Sequence, residues 1–200
     1  RMAALLLSCV LIAACPGIGS RAEEDTRGDF VFGDYVGDVD PASNAYAWVG
    51  MRVGVMESLF KLDDGMNVQK NLVDDYSVSE DGLVWTLKLR DGVLFQSGNP
   101  MDAEAVKASL ERTCSMQSRA DGELGIASME ADGNVLTITT KKPNPTLPNC
   151  LCDPYSGIVD VKSVGDDGDA TIGTGPFKLV EYVENERMEL DAFDDYWAGK

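Results

Sequence analysis

Apolar and polar residues alternate along residues 83–90, as expected for a β-strand with one buried face. The apolar positions are Leu83, Trp85, Leu87 and Leu89. Asp91-Gly92 is a turn signal, so residues 93–95 are predicted to return as a second strand beside the first. The pattern therefore indicates a hairpin in the middle of the chain.

A capped helix is predicted directly after this hairpin. Asp102 is placed to cap the helix, and Glu104 lies in its first turn, where the helix dipole favours a negative charge. Val106 and Leu110 are four residues apart and share one face. A unit of strand, turn, strand and helix is common, so it does not by itself identify a function.

Similar patterns predict elements in the rest of the chain. We expect strands at 30–32, 135–140 and 157–159, a helix over 46–60, a polar link at 119–125, a loop at 164–170 and a hairpin formed by 177–182 and 187–193.

The charge and the amino-acid usage exclude several classes of function. The chain has 17 basic and 34 acidic residues and a formal charge of −17, which argues against nucleic-acid binding. This charge is consistent with a solvated acidic surface or with steering of cationic ligands. The chain has no histidine, so it lacks the usual general base and the commonest metal ligand. An enzyme based on paired carboxylates is still compatible with this composition.

The N-terminal region has the composition of an export signal. Residues 2–14 are apolar, and the run is too short to span a bilayer as a helix. Residues 11–15 resemble a bacterial lipobox, which implies lipidation of Cys15; the alternative is a free cysteine in an ordinary signal peptide. We assign residues 1–15 to a lipoprotein signal peptide, which should not pack into the core, and residues 16–29 to a flexible tether.

Residues 79–112 closely resemble the signature region of the family 5 extracellular solute-binding proteins. These proteins are receptors of ABC importers for oligopeptides, dipeptides and nickel chelates. The matching residues include Ser79, Asp81, Gly82, Trp85, Arg90, Gly92, Phe95, Gly98, Pro100 and Glu104. Residues 173–177 and 194–200 resemble two further motifs of the family, so the resemblance extends over about residues 30–200.

The resemblance implies an α/β fold of the type II periplasmic-binding-protein kind. Members of the family are at least about twice as long, so we interpret the chain as an N-terminal lobe without the second lobe. Residues 30–52 and 172–200 are assigned to subdomain I, a mixed sheet with helices, and residues 53–171 to an inserted α+β subdomain II. The strand at 30–32 should then lie in the same sheet as the strand at 177–182.

The resemblance also implies the function and the candidate site. We expect an exported, lipid-anchored, monomeric receptor that captures a small peptide and delivers it to the membrane subunits of an ABC permease. It should have no cofactor and no catalytic role. The candidate ligand-binding residues are Tyr35, Asn44, Trp48, Arg119 and Tyr155, each of which can also be explained by packing or by surface exposure.

Two other functions are compatible with the sequence. A receptor for nickel chelates would place cleft arginines against the carboxylates of the chelate, and Arg119 lies where one of them is expected. However, Asp153 and Ser156 occupy the segment that supplies another in that branch, which favours a peptide. A carboxylate-based hydrolase is the third possibility, but no two acidic residues have a spacing that supports it.

The remaining cysteines allow three interpretations. Cys114, Cys150 and Cys152 are compatible with buried thiols, with one disulfide from Cys114 to either of the others, or with a Cys-x-Cys metal site that lacks two further ligands. The acidic loop at 164–170 does not have the spacing of an EF-hand, so calcium is not expected there.

Overall fold

The computed structural model describes residues 39–43, 48–165, 170–183 and 186–199. All of them lie in the unit that spans Tyr35–Lys200. The predictions for the signal peptide, the tether, Cys15, Tyr35, Asn44 and the strand at 30–32 fall outside the described residues.

Eight strands and four α-helices are found in the described part of the chain. They are, in order, α1 (Trp48–Arg52), β1 (Phe60–Leu62), β2 (Val68–Lys70), β3 (Val73–Val78), β4 (Val84–Leu89), α2 (Ala103–Met116), α3 (Ser118–Leu124), β5 (Ile126–Asp132), β6 (Val135–Thr140), α4 (Leu147–Cys150), β7 (Phe177–Val183) and β8 (Arg187–Ala192). Short 3₁₀ turns follow α4 at Pro154–Ser156 and Val161–Ser163.

The centre of the fold is a four-stranded antiparallel sheet in the order β3-β4-β6-β5. The alternation predicted for residues 83–90 is confirmed, because Trp85, Leu87 and Leu89 of β4 are buried while Thr86 and Lys88 are exposed. The predicted strand at 135–140 is also confirmed as β6, which pairs with β4. The two central strands therefore present one apolar face to the core.

Helix α2 packs against β5 and β6 of this sheet. The Asp102 side chain caps it as predicted, because one carboxylate oxygen accepts a hydrogen bond from the Ala105 N–H at 2.9 Å. Val106 and Leu110 are fully buried in the main core, beside Leu87 and Ile138 of the sheet. The cap thus fixes where the helix begins, and its apolar face closes the core.

Residues 93–95 do not form the predicted second strand. The neighbours of β4 are β3 and β6, and Leu94 makes only an isolated bridge to Pro100. The Phe95 N–H donates to the Asn99 carbonyl at 2.9 Å, so the chain folds back on itself within this segment. The apolar residues here reflect burial of Phe95 in the core rather than sheet pairing.

The helix predicted over 46–60 is much shorter than expected. Helix α1 ends at Arg52, and Gly54 adopts φ +76°, which favours glycine and ends the helical path. Val55 and Met56 are then buried outside the helix, and Glu57 bridges Ile158. The apolar residues after Arg52 therefore reflect burial in the core and not the buried face of a helix.

Two other predictions are corrected by the structure. Residues 119–124 lie in helix α3 instead of a polar link, and Gly125 is its left-handed C-cap at φ +58°. Residues 157–159 make only the isolated bridge from Ile158 to Glu57 rather than a strand.

The hairpin near the C-terminus is confirmed as the separate two-stranded sheet of β7 and β8. Its first strand begins where residues 173–177 run beside residues 54–56. The Gly175 N–H donates to the Val55 carbonyl and the Phe177 N–H donates to the Gly54 carbonyl, both at 3.1 Å. The Gln96 side-chain amide lies 2.9 Å from the Val55 carbonyl and 3.1 Å from that of Gly175, so it spans both segments.

The structure also shows the state of three cysteines and the length of the apolar helices. Cys114, Cys150 and Cys152 are free and partly buried, so the structure contains no disulfide from Cys114 to either of the others. Within the described ranges, no helix is long and apolar enough to cross a bilayer.

A buried ion pair fastens the described N-terminal residues to α2. Asp40 is fully buried, and its carboxylate oxygens accept from the two terminal nitrogens of Arg112 at 2.9 and 2.5 Å. The same carboxylate accepts from the Ala42 N–H at 2.8 Å and from the Ala170 N–H at 3.0 Å. Asp40 thus joins three segments that are distant in the sequence.

We predict that Arg112→Ala lowers the free energy of unfolding by about 3–5 kcal/mol, because it removes the guanidinium of Arg112 from the buried Asp40 carboxylate. Chemical denaturation measures this loss. The control is Arg187→Ala, which removes an exposed arginine that contacts three carboxylates and should change stability little. Equal effects of the two substitutions would contradict the role assigned to Asp40.

Candidate functional site

Two of the predicted ligand-binding residues lie together in the structure. The Arg119 guanidinium carbon lies 5.3 Å from the centre of the Tyr155 ring. Arg119 also makes salt bridges to Glu123 at 3.0 Å and to Asp153 at 2.9 Å. The Tyr155 hydroxyl donates to the other oxygen of Glu123 at 2.9 Å. We call these four residues the Arg119 cluster.

The local sequence explains how the cluster is assembled. Arg119 and Glu123 are four residues apart on α3, so their side chains lie on the same face of the helix. Asp153 caps the turn at Pro154–Ser156 by accepting from the Tyr155 N–H at 3.3 Å. One oxygen of Asp153 thus holds the turn while the other binds Arg119.

The electrostatics of the cluster follow from these contacts. The hydrogen bond from Arg119, and then the one from Tyr155, holds the pKa of Glu123 below its usual value of 4.5. The pKa of Arg119 is raised, first by the bond to Glu123 and then by the charge of Asp153. Burial, followed by the hydrogen bond to Glu123, raises the pKa of Tyr155, so its phenol is a neutral donor at physiological pH.

The accessibility of the two predicted residues differs. The Arg119 side chain is 64% exposed, whereas Tyr155 is only 1% exposed. Arg119 can therefore touch a ligand directly, while Tyr155 supports Arg119 and Glu123 from beneath. The cluster carries one positive and two negative charges, so its chemistry suits electrostatic recognition of a charged group.

Trp48 belongs to a neighbouring element. It lies on α1, and its ring faces the Arg52 guanidinium carbon at 4.6 Å. Helix α1 packs against the turn at Pro154–Ser156 that carries Tyr155. Three of the predicted residues are therefore on elements that contact one another.

The two thiols near the cluster are not activated. Burial raises the pKa of Cys150, although hydrogen bonds with Thr146 and Tyr155 oppose this effect. Burial, together with the nearby Cys150, raises the pKa of Cys152 to about 11. Within the described residues, no group of three or more His, Cys, Asp or Glu side chains is arranged to hold a metal ion.

The sequence alone did not reveal that Glu123 and Asp153 hold Arg119, although the spacing of Arg119 and Glu123 is typical of an ion pair on a helix. Nor did it reveal a junction at Glu57. One oxygen of Glu57 accepts from the Trp197 indole at 2.8 Å and from the Thr174 hydroxyl at 2.9 Å, and the other accepts from the Tyr196 hydroxyl at 3.0 Å. These donors come from the two C-terminal motifs of the sequence, so one carboxylate joins both motifs to the segment after α1.

Comparison with known proteins identifies a matching family and several similar proteins. The sequence profile described as bacterial extracellular solute-binding proteins, family 5, middle, matches residues 67–200. The nickel-binding protein NikA of Staphylococcus aureus is 35% identical over 152 residues, which are 76% of this chain and 31% of that protein. The glutathione-binding protein GsiB of Escherichia coli is 30% identical in an alignment 204 residues long, which covers 98% of this chain and 39% of that protein.

The comparison of structures agrees with the comparison of sequences. A nickel ABC transporter structure from Bacillus halodurans has a TM-score of 0.76 and 37% identity, and the match covers 83% of this chain and 34% of that one. The predicted periplasmic-binding-protein-like α/β fold is therefore confirmed, in a chain that spans about a third of the length of these relatives.

We predict that Glu123 titrates below 4.5 in the native chain and that Arg119→Ala moves its pKa up towards that value. The lowered pKa means that Glu123 contributes stability above pH 4.5, and that this contribution is lost as the pH falls through the native pKa. Carbon-detected NMR of the side-chain carboxyl measures the shift. Lys141→Ala, which breaks the exposed pair with Asp121, is the control and should leave Glu123 unchanged. A Glu123 pKa that does not respond to Arg119→Ala would contradict the cluster.

Proposed function

We propose, because the chain belongs to the bacterial extracellular solute-binding proteins of family 5, that it is part of a receptor that captures small peptides for an ABC importer. Its relatives NikA and GsiB are named as binding proteins and not as enzymes. The receptor would enclose the peptide between two lobes and deliver it to the membrane permease. Attachment through a lipid on Cys15 is part of the same proposal.

The observation that carries the choice of a peptide is the charge of the Arg119 cluster. Its one exposed cation is already paired with Glu123 and Asp153, so the cluster has a net negative charge. A net negative surface attracts the amino group of a peptide and disfavours a ligand made up mainly of carboxylates. The formal charge of −17 acts in the same direction over a longer range.

A nickel chelate is the second candidate, and it is supported by the comparisons. Among the similar solved structures is NikA of Staphylococcus aureus in complex with Ni(L-His)₂, at 35% identity and a TM-score of 0.70. This function would require Arg119 to exchange a carboxylate of its own chain for one of the chelate. The GsiB relatives, which are named as glutathione-binding, are compatible with a peptide.

The division into subdomains is also a proposal. We infer that residues 30–52 and 172–200 form subdomain I, and that residues 53–171 form the inserted subdomain II. The support is the pair of segments at 54–56 and 173–177, which run side by side and join the sheet unit to the β7–β8 hairpin. We call residues 54–56 and 173–177 the crossing segments, because the chain passes between the two proposed subdomains there. Two adjacent connecting segments are a suitable place for a hinge.

Calorimetric titration with a mixed pool of di- to pentapeptides, and separately with nickel and L-histidine, tests the function. We expect the protein that carries both lobes to bind the peptide pool with micromolar affinity. We expect this chain to bind it weakly or undetectably, because a ligand held by one lobe stays exposed to water on its other side.

The variant Arg119→Ala, made in the two-lobed protein, should alter peptide affinity, whereas the exposed control Arg187→Ala should not. Tight binding of nickel–histidine without binding of peptides would favour the second candidate. Micromolar binding of the pool by this chain alone would contradict a site shared between two lobes.

A further inference from the structure

A groove lies between the β1–β2 hairpin and the edge of the four-stranded sheet, and it has no residue in common with the Arg119 cluster. Its volume is about 410 Å³, and it is lined by Phe60, Val68, Gln69, Lys70, Asp75, Tyr76 and Arg90. This volume falls in the range of roughly 300–1,000 Å³ that is typical of small-molecule sites. A short peptide is small enough to occupy a groove of this volume.

The exposed aromatic ring of the groove is that of Tyr76, which packs on two buried aromatic rings. The Phe60 and Tyr76 rings pack edge to face with centroids 5.2 Å apart, and Tyr76 stacks on Trp85 with centroids 6.1 Å apart. Phe60 is fully buried, but Tyr76 is 42% exposed. The neighbouring Val78, on the same face of β3, is 47% exposed. The sheet therefore shows apolar surface to solvent beside a preorganised aromatic pair.

Each wall of the groove is the open edge of a strand. Two backbone hydrogen bonds show which residues of the β1–β2 hairpin are hydrogen-bonded across it. The Asp63 N–H donates to the Asn67 carbonyl, and the Asn71 N–H donates to the Leu59 carbonyl, so hydrogen-bonded and non-hydrogen-bonded pairs alternate between them. By this alternation, the backbone groups of Val68 and Lys70 point away from β1. They make no backbone hydrogen bond within the described residues.

Strand β3 forms the opposite wall and also has an open edge. The bond from the Ser79 N–H to the Val84 carbonyl fixes the alternation between β3 and β4. The backbone groups of Tyr76 and Val78 then point away from β4, and they too make no backbone bond in the part of the chain that the structure describes. Open strand edges of this kind accept an added strand.

The charges of the groove differ from those of the whole chain. Two cations, Lys70 and Arg90, and one carboxylate, Asp75, line the groove, whereas the chain as a whole has 34 acidic and 17 basic residues. Arg90 donates to the Asn71 carbonyl at 3.1 Å and lies 4.5 Å from the centre of the Trp197 ring. Lys70 donates to the Asp74 carbonyl. Neither cation is paired with a carboxylate within the described residues.

We propose that this groove binds a short free peptide in an extended conformation, with its terminal carboxylate between Lys70 and Arg90. The open edges of β2 or β3 would hold the peptide backbone, and the exposed face of Tyr76 would contact one of its side chains. The proposal does not rest on the function proposed above, because it uses different residues and needs no second lobe.

NMR of the ¹⁵N-labelled chain, titrated with the tripeptide Ala-Val-Ala, tests the proposal. We expect shifts of the amide signals of β2 and β3 with a dissociation constant in the high-micromolar to millimolar range. The C-terminal amide of the same peptide should bind more weakly, because it lacks the carboxylate. The peptide methylated on its central backbone nitrogen should also bind more weakly, because it has lost a strand hydrogen bond.

Charge variants provide the controls. Lys70→Glu should weaken binding about fivefold, and Asp75→Asn should strengthen it, because the first adds and the second removes repulsion. Lys142→Glu makes the same change of charge as Lys70→Glu at an exposed position outside the groove, and should have little effect.

Three results would overturn the proposal: no shifts at millimolar peptide, equal binding of the peptide and its amide, or shifts confined to α3 and the turn at Pro154–Ser156. The last result would instead indicate that the tripeptide binds at the Arg119 cluster.

Discussion

The fold depends on the close contact between residues 54–56 and residues 173–177. A side chain at Gly175 would place its Cβ 2.2 Å from the Gly54 carbonyl oxygen, and one at Gly173 would lie 2.3 Å from that of Val55. Only glycine allows the two backbones to approach so closely, and the approach makes their hydrogen bonds possible. Gln96 spans both segments, and Glu57 collects three donors immediately beyond them.

This contact explains how distant parts of the sequence form one framework. The Glu57 carboxylate links the segment after α1 to Tyr196 and Trp197, and Trp197 in turn packs against Arg90 beside the groove. The Arg119 cluster and the groove are both built on the part of the chain between the crossing segments.

The sequence was sufficient to predict the elements whose pattern is local. The alternation in β4, the cap at Asp102 and the hairpin of β7 and β8 each depend on neighbouring residues, and the structure confirms all three. The elements that were predicted wrongly depend on tertiary contacts. Val55, Met56, Leu59 and Phe60 are apolar because they are buried in the core outside any helix, and residues 93–95 are apolar because Phe95 enters the core. The family resemblance was sufficient to name Arg119 and Tyr155 as candidate ligand-binding residues. The salt bridge between Arg119 and Asp153 joins residues far apart in the sequence, so only the structure could reveal it.

The most direct test of this account is the stability of Gly175→Ala, measured by chemical denaturation together with hydrogen exchange. We predict a loss of roughly 1–3 kcal/mol from forced overpacking, with faster exchange of the β7 and β8 amides than of the β4 amides. Gly122→Ala is the matched control, because its Cβ would meet nothing within 4 Å and alanine favours the helix. If Gly175→Ala were as stable as Gly122→Ala, with unchanged exchange in the hairpin, the crossing would not be the contact on which the fold depends.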